Sequence, residues 1–600
     1  MCVISLSRVA TREIKMKRIL SLVLAFASII GSLVVFTGCG EPKDDGAQIS
    51  VYLGESVYDF DPSDYYVDDN AQQLMSLIFE PLFTLNEKGK LKKDGAAKDY
   101  EVDEENRKIT ITLRETYWSD GVRVTAEHYV YAWRQLLMEP NKSNAAAALL
   151  YDIENAVEVK NGEKSIYEFG AVADGFDVVI NYREGADYKQ ILKNLASLAT
   201  APVREDIAAN ASGYWTKSTN KIVTNGPFRV TRLDYATGDF VLERNVGYHQ
   251  KLTVKNYTKQ VNPGKLISVF SVNGEKVELS YDDIQNKTVF YMGSVSLADR
   301  ADNKKKVEAV DALSTYTYVF NTQNPLFAKK EVRKALSLAI DRAAIINAVT
   351  FGKAATGFLP TAATEGIYSK KVAQTLISAE AKKAEAESLL AGVDFKGISK
   401  KFSITVNDDE ESLKIAELVK LSWEDLGFTV TIKPVSTVKS TVVDYESNEQ
   451  IEIIDSAIQS LAKKAAAGNI EYDVLALDWQ MYSTDGFVGL ASLSSNLNGN
   501  GVKFNGANKT NRGNIAGWTN AKYDAYIKAA YDATDDNARA ENLRLAEAVL
   551  IDEAPVVPIM FNQNVAFIGK HLSKVEVNAF GNFNFNDAKQ KKYKKYIQED

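Results

Sequence analysis

Residues 109–138 read ITITLRETYWSDGVRVTAEHYVYAWRQLLM. Ile109 to Leu113 alternates apolar and polar side chains with a period of two, the pattern of a half-buried strand. From Thr125 the spacing changes. Ala126, Tyr129, Val130, Trp133 and Leu137 fall on one helical stripe, and Thr125 stands where an N-cap belongs. Ser119-Asp120-Gly121 between them is turn chemistry: Asp120 can bond the backbone two residues on, and Gly121 is free to take φ > 0. Strand, turn and helix in one short stretch point to a mixed α/β protein.

The same alternation continues outward. Phe176, Val178 and Ile180 mark a strand, and Asn225-Gly226-Pro227 is a turn before another. Val332 to Val349 carries Val332, Leu336, Ala339, Ile340 and Ile346 at helical intervals. Ser378 to Leu390 reads as a short amphipathic helix closed by Gly392. Phe402–Val406 and Phe428–Ile432 read as strands, and the Asn- and Gly-rich run 496–514 as a flexible polar loop. No internal repeat is found. A chain of 600 residues exceeds what one core organises, about 250–300 residues, so at least two lobes are expected.

The first forty residues read as an address. Lys15-Met16-Lys17-Arg18 precedes an apolar, uncharged run from Ile19 to Gly38, then Cys39 and the polar stretch 40–45. That is the layout of a secretory signal. Thr37-Gly38-Cys39 resembles the bacterial lipobox, which implies cleavage before a diacylated Cys39, although Phe36 departs from the usual Leu or Val. An uncleaved anchor is the alternative, because such a run could just span a bilayer. Either way the remainder lies outside the cytoplasmic membrane. Met16 would begin a signal of more usual proportions.

Cys2 and Cys39 are the only cysteines, so no disulfide framework is expected. Lys and Arg total 71 against 79 Asp and Glu, which argues against a nucleic-acid partner. There is no G-x-S-x-G, no Walker motif, no G-x-G-x-x-G and no H-E-x-x-H. Asp61, Asp64, Asp68 and Asp69 lack the glycine and glutamate of an EF-hand loop and read as a solvated loop. His128, His249 and His571 stand far apart and read as ordinary structural or surface residues, and Asp408 to Glu411 as a solvated turn. No catalytic residue, metal site or cofactor is expected.

Several blocks in order resemble one family. They are Asp61-Pro62 and Ile78-Phe79-Glu80-Pro81-Leu82-Phe83; Leu113-Arg114 with Trp118 to Gly121, Thr125-Ala126-Glu127 and Val130 to Arg134; Thr224-Asn225-Gly226 with Leu242 to Asn245 and Tyr248; Val332 to Arg342; Tyr472-Asp473-Val474 with Trp479; Gly517-Trp518 with Tyr523-Asp524; and Ala554 to Pro558. Together they resemble the family 5 extracellular solute-binding proteins of ABC importers, the oligopeptide-binding group in particular.

The resemblance implies an α/β, two-lobed periplasmic-binding-protein-like fold that closes as a hinge, with an extra subdomain in the first lobe. Residues 1–38 would be the lipoprotein signal and 39–46 the tether. The first lobe would be 47–80, 219–319 and 562–600, with the extra subdomain at 81–218. The second lobe would be 320–561. The expected function is a lipid-anchored receptor, monomeric and not an enzyme, that captures a peptide or peptide-like solute between its lobes for a permease. The peptide would lie as an added strand, contacted by Val67, Asp68 and Asp69 from the first lobe and Asp478, Trp479 and Gln480 from the second. Trp479 and Phe561 would form aromatic walls.

One departure matters. The family's peptide binders carry an aspartate three residues after the tryptophan, where it pairs with the peptide's α-amino group; Tyr482 stands there in this chain, or Met481 if one residue is inserted. An unpaired buried ammonium costs several kcal/mol. Asp478 or Asp485 could substitute only from a shifted backbone. A non-peptide solute (oligosaccharide, heme or chelated metal) and a non-transport signalling role therefore stay as alternatives. The interval from Lys433 to Tyr472 also looks longer than the family's usual connection.

Overall fold

The computed structural model describes residues 46–54, 60–63, 69–138, 145–209, 215, 222–234, 237–253, 257–272, 275–364, 375–443, 450–505 and 508–596. The expected signal and Cys39, and also Val67 and Asp68, lie outside the described residues. Asp69 begins the helix Asp69–Ile78.

One eleven-stranded mixed sheet runs through the molecule. Its strands are β1 (Gln48–Tyr52), β2 (Phe228–Leu233), β3 (Phe240–Arg244), β4 (Lys265–Ser268), β5 (Tyr291–Met292), β6 (Val307–Phe320), β7 (Lys353–Ala354), β8 (Lys401–Asn407), β9 (Thr429–Val435), β10 (Val474–Gln480) and β11 (Val556–Ile568). Across the sheet the order is β9-β8-β10-β6-β11-β5-β1-β4-β3-β2, with β7 paired to β11.

The long antiparallel pair β6 and β11 joins the two halves. Val307–Asp311 pairs with Gln563–Phe567, and Thr315–Val319 pairs with Val556–Phe561, with register shifts between Asp311 and Thr315 and between Tyr316 and Thr317. β1 runs parallel to β5, and β5 lies antiparallel to the carboxyl end of β11, so both run with β6 towards the second half. β10 runs against β6, and β8 and β9 run parallel to β10, towards the first half. The carboxyl ends of the two parallel sets therefore face one gap, which is where open α/β sheets place their ligand sites.

The opening stretch folds as read, into strand Lys108–Leu113 and helix Ala126–Leu137. The strand belongs to a separate four-stranded antiparallel sheet with Ala97–Asp103, Asp177–Asn181 and Ala171–Asp174. Gly121 has φ +87° and the Val122 amide donates to Asp120 Oδ1 at 3.1 Å, as the turn chemistry requires. Gly226 is needed for close approach, since a Cβ there would lie 2.5 Å from the carbonyl carbon of Ile78. Asn225 fixes this crossing: its side chain accepts from the Glu80 amide (3.0 Å) and donates to the Glu80 carbonyl (2.9 Å). Glu80 is buried, and its carboxylate meets the Tyr248 hydroxyl and, at 2.7 Å, His249 Nε2. The signature residues are largely scaffold.

Three expectations change. The helix expected over Val332–Val349 is two, Lys330–Leu338 and Arg342–Val349, because Asp341 caps the second by accepting from the Ala344 amide at 2.8 Å. The helix before Gly392 starts later, at Lys383, and Gly392 caps it at φ −84° without entering the left-handed region. The Asn-rich run is not a flexible loop: Asn498, Asn500 and Asn514 are buried, and Asn514 donates to the carbonyls of Leu493 and Trp518, both at 2.8 Å. The long interval before β10 holds a hairpin, Thr437–Val443 with Gln450–Ser456, followed by helix Ala457–Ala466. Among the described residues no helix is long and apolar enough to cross a membrane.

His128 is also more than a surface residue. Its Nδ1 accepts from Trp118 Nε1 and from the Thr125 amide, both at 3.1 Å, so Nδ1 must be unprotonated in the fold. Burial, helped by the nearby Arg204, pushes its pKa down to about 4. The unfolded value is about 6.5. Stability from the neutral ring is thus complete above about pH 6.5 and is lost as pH falls towards 4. Urea titrations of His128→Asn across that window should show a flatter pH dependence than the wild type; an unchanged slope would contradict the assignment.

Candidate functional site

The gap between the two halves is a cleft of about 1030 Å3. Its walls follow the strand ends: Tyr52 and Leu53 at β1, Gly293 to Leu297 after β5, Asn407 to Ser412 after β8, Ser436 after β9, and Asp478 on β10. Tyr316 on β6 and Asn562 to Val565 on β11 also line it.

Of the residues expected to bind, the structure places Asp478 in this lining. Asn562 Nδ2 donates to Asp478 Oδ1 at 2.6 Å and to Ser314 Oγ at 2.9 Å, tying β11 to β10 and β6. Trp479, Gln480, Tyr482 and Phe561 stand outside the lining and are at most 9% exposed. Strand alternation turns Trp479 away from Asp478, and its ring meets Phe358 edge-on at 5.3 Å. The segment after Trp479 packs on the four-stranded-sheet region: Ser483 Oγ donates to Asn194 Oδ1 at 2.6 Å. Tyr482 itself takes φ +59°.

Asp485 is committed elsewhere. Arg539 grips it with two bonds, Nη1 to Oδ1 at 3.0 Å and Nη2 to Oδ2 at 2.6 Å. Asp485 Oδ1 also accepts from the Phe487 amide at 3.1 Å, capping helix Gly486–Ala491.

The run Asp408 to Glu411, expected as a solvated turn, is a wall of the cleft. Asp409 caps helix Glu410–Glu424 by accepting from the Ser412 amide at 2.8 Å. Glu410 Oε2 accepts from the Leu297 amide at 3.0 Å, and Glu411 pairs with Arg300. Burial lifts the Glu411 carboxyl above the usual carboxylate range, with Arg300 pulling against it. Burial likewise raises Asp299. The sequence signal that could have found Asp408 to Glu411 is positional, since they follow the strand read over 402–406; Asp299 and Arg300 follow a two-residue strand that alternation did not mark. Among the described residues no group of three or more His, Cys, Asp or Glu is arranged to hold a metal ion.

A cleft between two sheet halves, with polar and charged groups at facing strand ends and a strand pair crossing below, is the architecture of a two-lobed solute-binding protein. The chain belongs to the bacterial extracellular solute-binding proteins, family 5, whose middle region matches residues 92–501. The family is one of transporter binding proteins and not of enzymes. The chain is 25% identical to the oligopeptide-binding protein OppA of Bacillus subtilis over 95% of this chain and 98% of that one. In structure it is similar to Haemophilus influenzae OppA in complex with the peptide RPPGFSPFR (TM-score 0.70, 21% identity, 91% and 99% covered). It is also similar to the Escherichia coli murein tripeptide binding protein MppA (TM-score 0.70, 23% identity, 91% and 97% covered). Against the unliganded open form of MppA the TM-score is 0.55.

Asp485→Asn should therefore act on the fold. It leaves a charged Arg539 without its partner, at a cost of about 2 kcal/mol, below the about 3–5 of a fully buried pair because a quarter of the Arg539 side chain is exposed. A lowered melting temperature with unchanged solute affinity is expected. Lost affinity at unchanged stability would make Asp485 a ligand contact.

Proposed function

We propose that this chain is a monomeric receptor, tethered to the membrane through lipidated Cys39, that captures peptides between its lobes and delivers them to an ABC importer permease. The observation carrying this reading is the cleft of about 1030 Å3 at the facing strand ends. It stands at the top of the about 300–1,000 Å3 range of small-molecule pockets, which suits an oligomeric solute. The named relatives bind oligopeptides and a murein tripeptide. The lobes in this reading divide along β6 and β11, close to the limits 47–80, 219–319 and 562–600 for the first lobe, with 81–218 as its extra subdomain, and 320–561 for the second.

Asp478 is then the direct contact from β10, with Trp479, Gln480, Tyr482 and Phe561 supporting the wall from behind, and with Val67, Asp68 and Asp69 as the contacts from the first lobe. The cleft's charge adds a preference. Among the described residues Glu278, Asp299, Asp408 to Glu411 and Asp478 line it against a single cation, Arg300. A peptide with Lys or Arg side chains fits that field better than an acidic one.

Thermal-shift titrations against peptide pools, with mass spectrometry of solute retained through purification, test this. Peptides at about 100 times their dissociation constant should stabilise the protein by about 2.7 kcal/mol. Lys- and Arg-containing pools should bind tightest and lose affinity with added salt. Stabilisation by sugars, heme or metal chelates, with none by any peptide, would overturn the reading.

A further inference from the structure

The cleft is bridged by a contact that the hinge strands do not require. Helix Leu297–Asp302 lies between β5 and β6 and is capped by Ser296, whose Oγ accepts from the Asp299 amide at 3.2 Å. The segment leading into it carries Met292 and Val295 in a small core with Val565 and Phe567 of β11, on the first-lobe side. The opposing helix Glu410–Glu424 packs Ile415, Val419 and Trp423 into the separate core of Phe320, Phe402 and Ile404. Three interactions join them. The Leu297 amide donates to Glu410 Oε2 at 3.0 Å, Arg300 Nη1 pairs with Glu411 Oε2, and the Leu297 side chain packs against the second core.

Arg300 is aimed by its own lobe. Its Nε donates to the Val295 carbonyl at 2.8 Å, which fixes the plane of the guanidinium that reaches across. The pair is partly buried, with side-chain exposures of 14% for Arg300 and 25% for Glu411. About 110 residues separate the partners in sequence, and all four residues line the cleft.

We propose that Leu297–Arg300 and Glu410–Glu411 form a closing clasp that holds the lobes together in the absence of solute. The clasp rests on the two-lobe reading above. Opening about β6 and β11 returns both charges to water, so neither is stranded, and the pair adds only a modest bias to closure. The TM-score is 0.55 against the unliganded open form of MppA and 0.70 against the other MppA structure. A protein held partly closed gains apparent affinity in proportion to its binding-competent fraction.

Small-angle X-ray scattering of the full mature chain without solute tests the clasp, using Arg300→Gln, Glu411→Gln and the charge swap R300E/E411R. The single variants should keep the wild-type circular dichroism spectrum and raise both the radius of gyration and the maximum dimension. The swap should restore both. Single variants that scatter as the wild type does, or expansion that the swap leaves in place, would overturn the clasp. Because scattering needs no solute, expansion without peptide binding would discard the peptide reading and keep the clasp.

Discussion

The pairing of β6 with β11 is the constraint on which the other features depend. These two strands belong to both halves of the sheet, and their register shifts fall between Asp311 and Thr317, at the crossing. The strand directions fixed there make β1 and β5 point towards the second half and β8, β9 and β10 towards the first. The facing carboxyl ends, and so the cleft, follow from that pairing and not from any single side chain. A register change in β6 would turn its inward residues outward and close the cleft off.

Much of the fold was legible because its signals are local. Period-two alternation located strands at 109–113, 402–406 and 428–432, and the Ser119-Asp120-Gly121 turn behaves as its chemistry requires. Where the reading went astray, a local competitor or a distant partner decided the outcome. Asp341 offered the backbone a cap in the middle of an apolar stripe and split one expected helix into two. The Asn-rich run looked solvated, but Asn498, Asn500 and Asn514 spend their side chains on buried backbone groups.

The site was less legible than the fold. Asp478 lines the cleft, whereas Trp479 turns inward and meets Phe358 edge-on because adjacent strand residues face opposite ways. Asp408 to Glu411 look like any acidic turn until Leu297 and Arg300 arrive from more than a hundred residues away. Their position just after β8 was the available clue, through the rule that ligands bind at strand carboxyl ends. Tyr482, expected at the position of the family's aspartate, is a buried tyrosine in the left-handed region, and Asp485 nearby is held by Arg539.

The most direct test of the account is hydrogen–deuterium exchange of the full chain with and without a Lys-containing peptide pool. Amides of residues 293–300, 408–412 and 562–565 should slow together on addition of peptide, because these segments line one cleft from both halves. Peptide-induced stabilisation with protection confined to other segments would contradict the placement of the solute site.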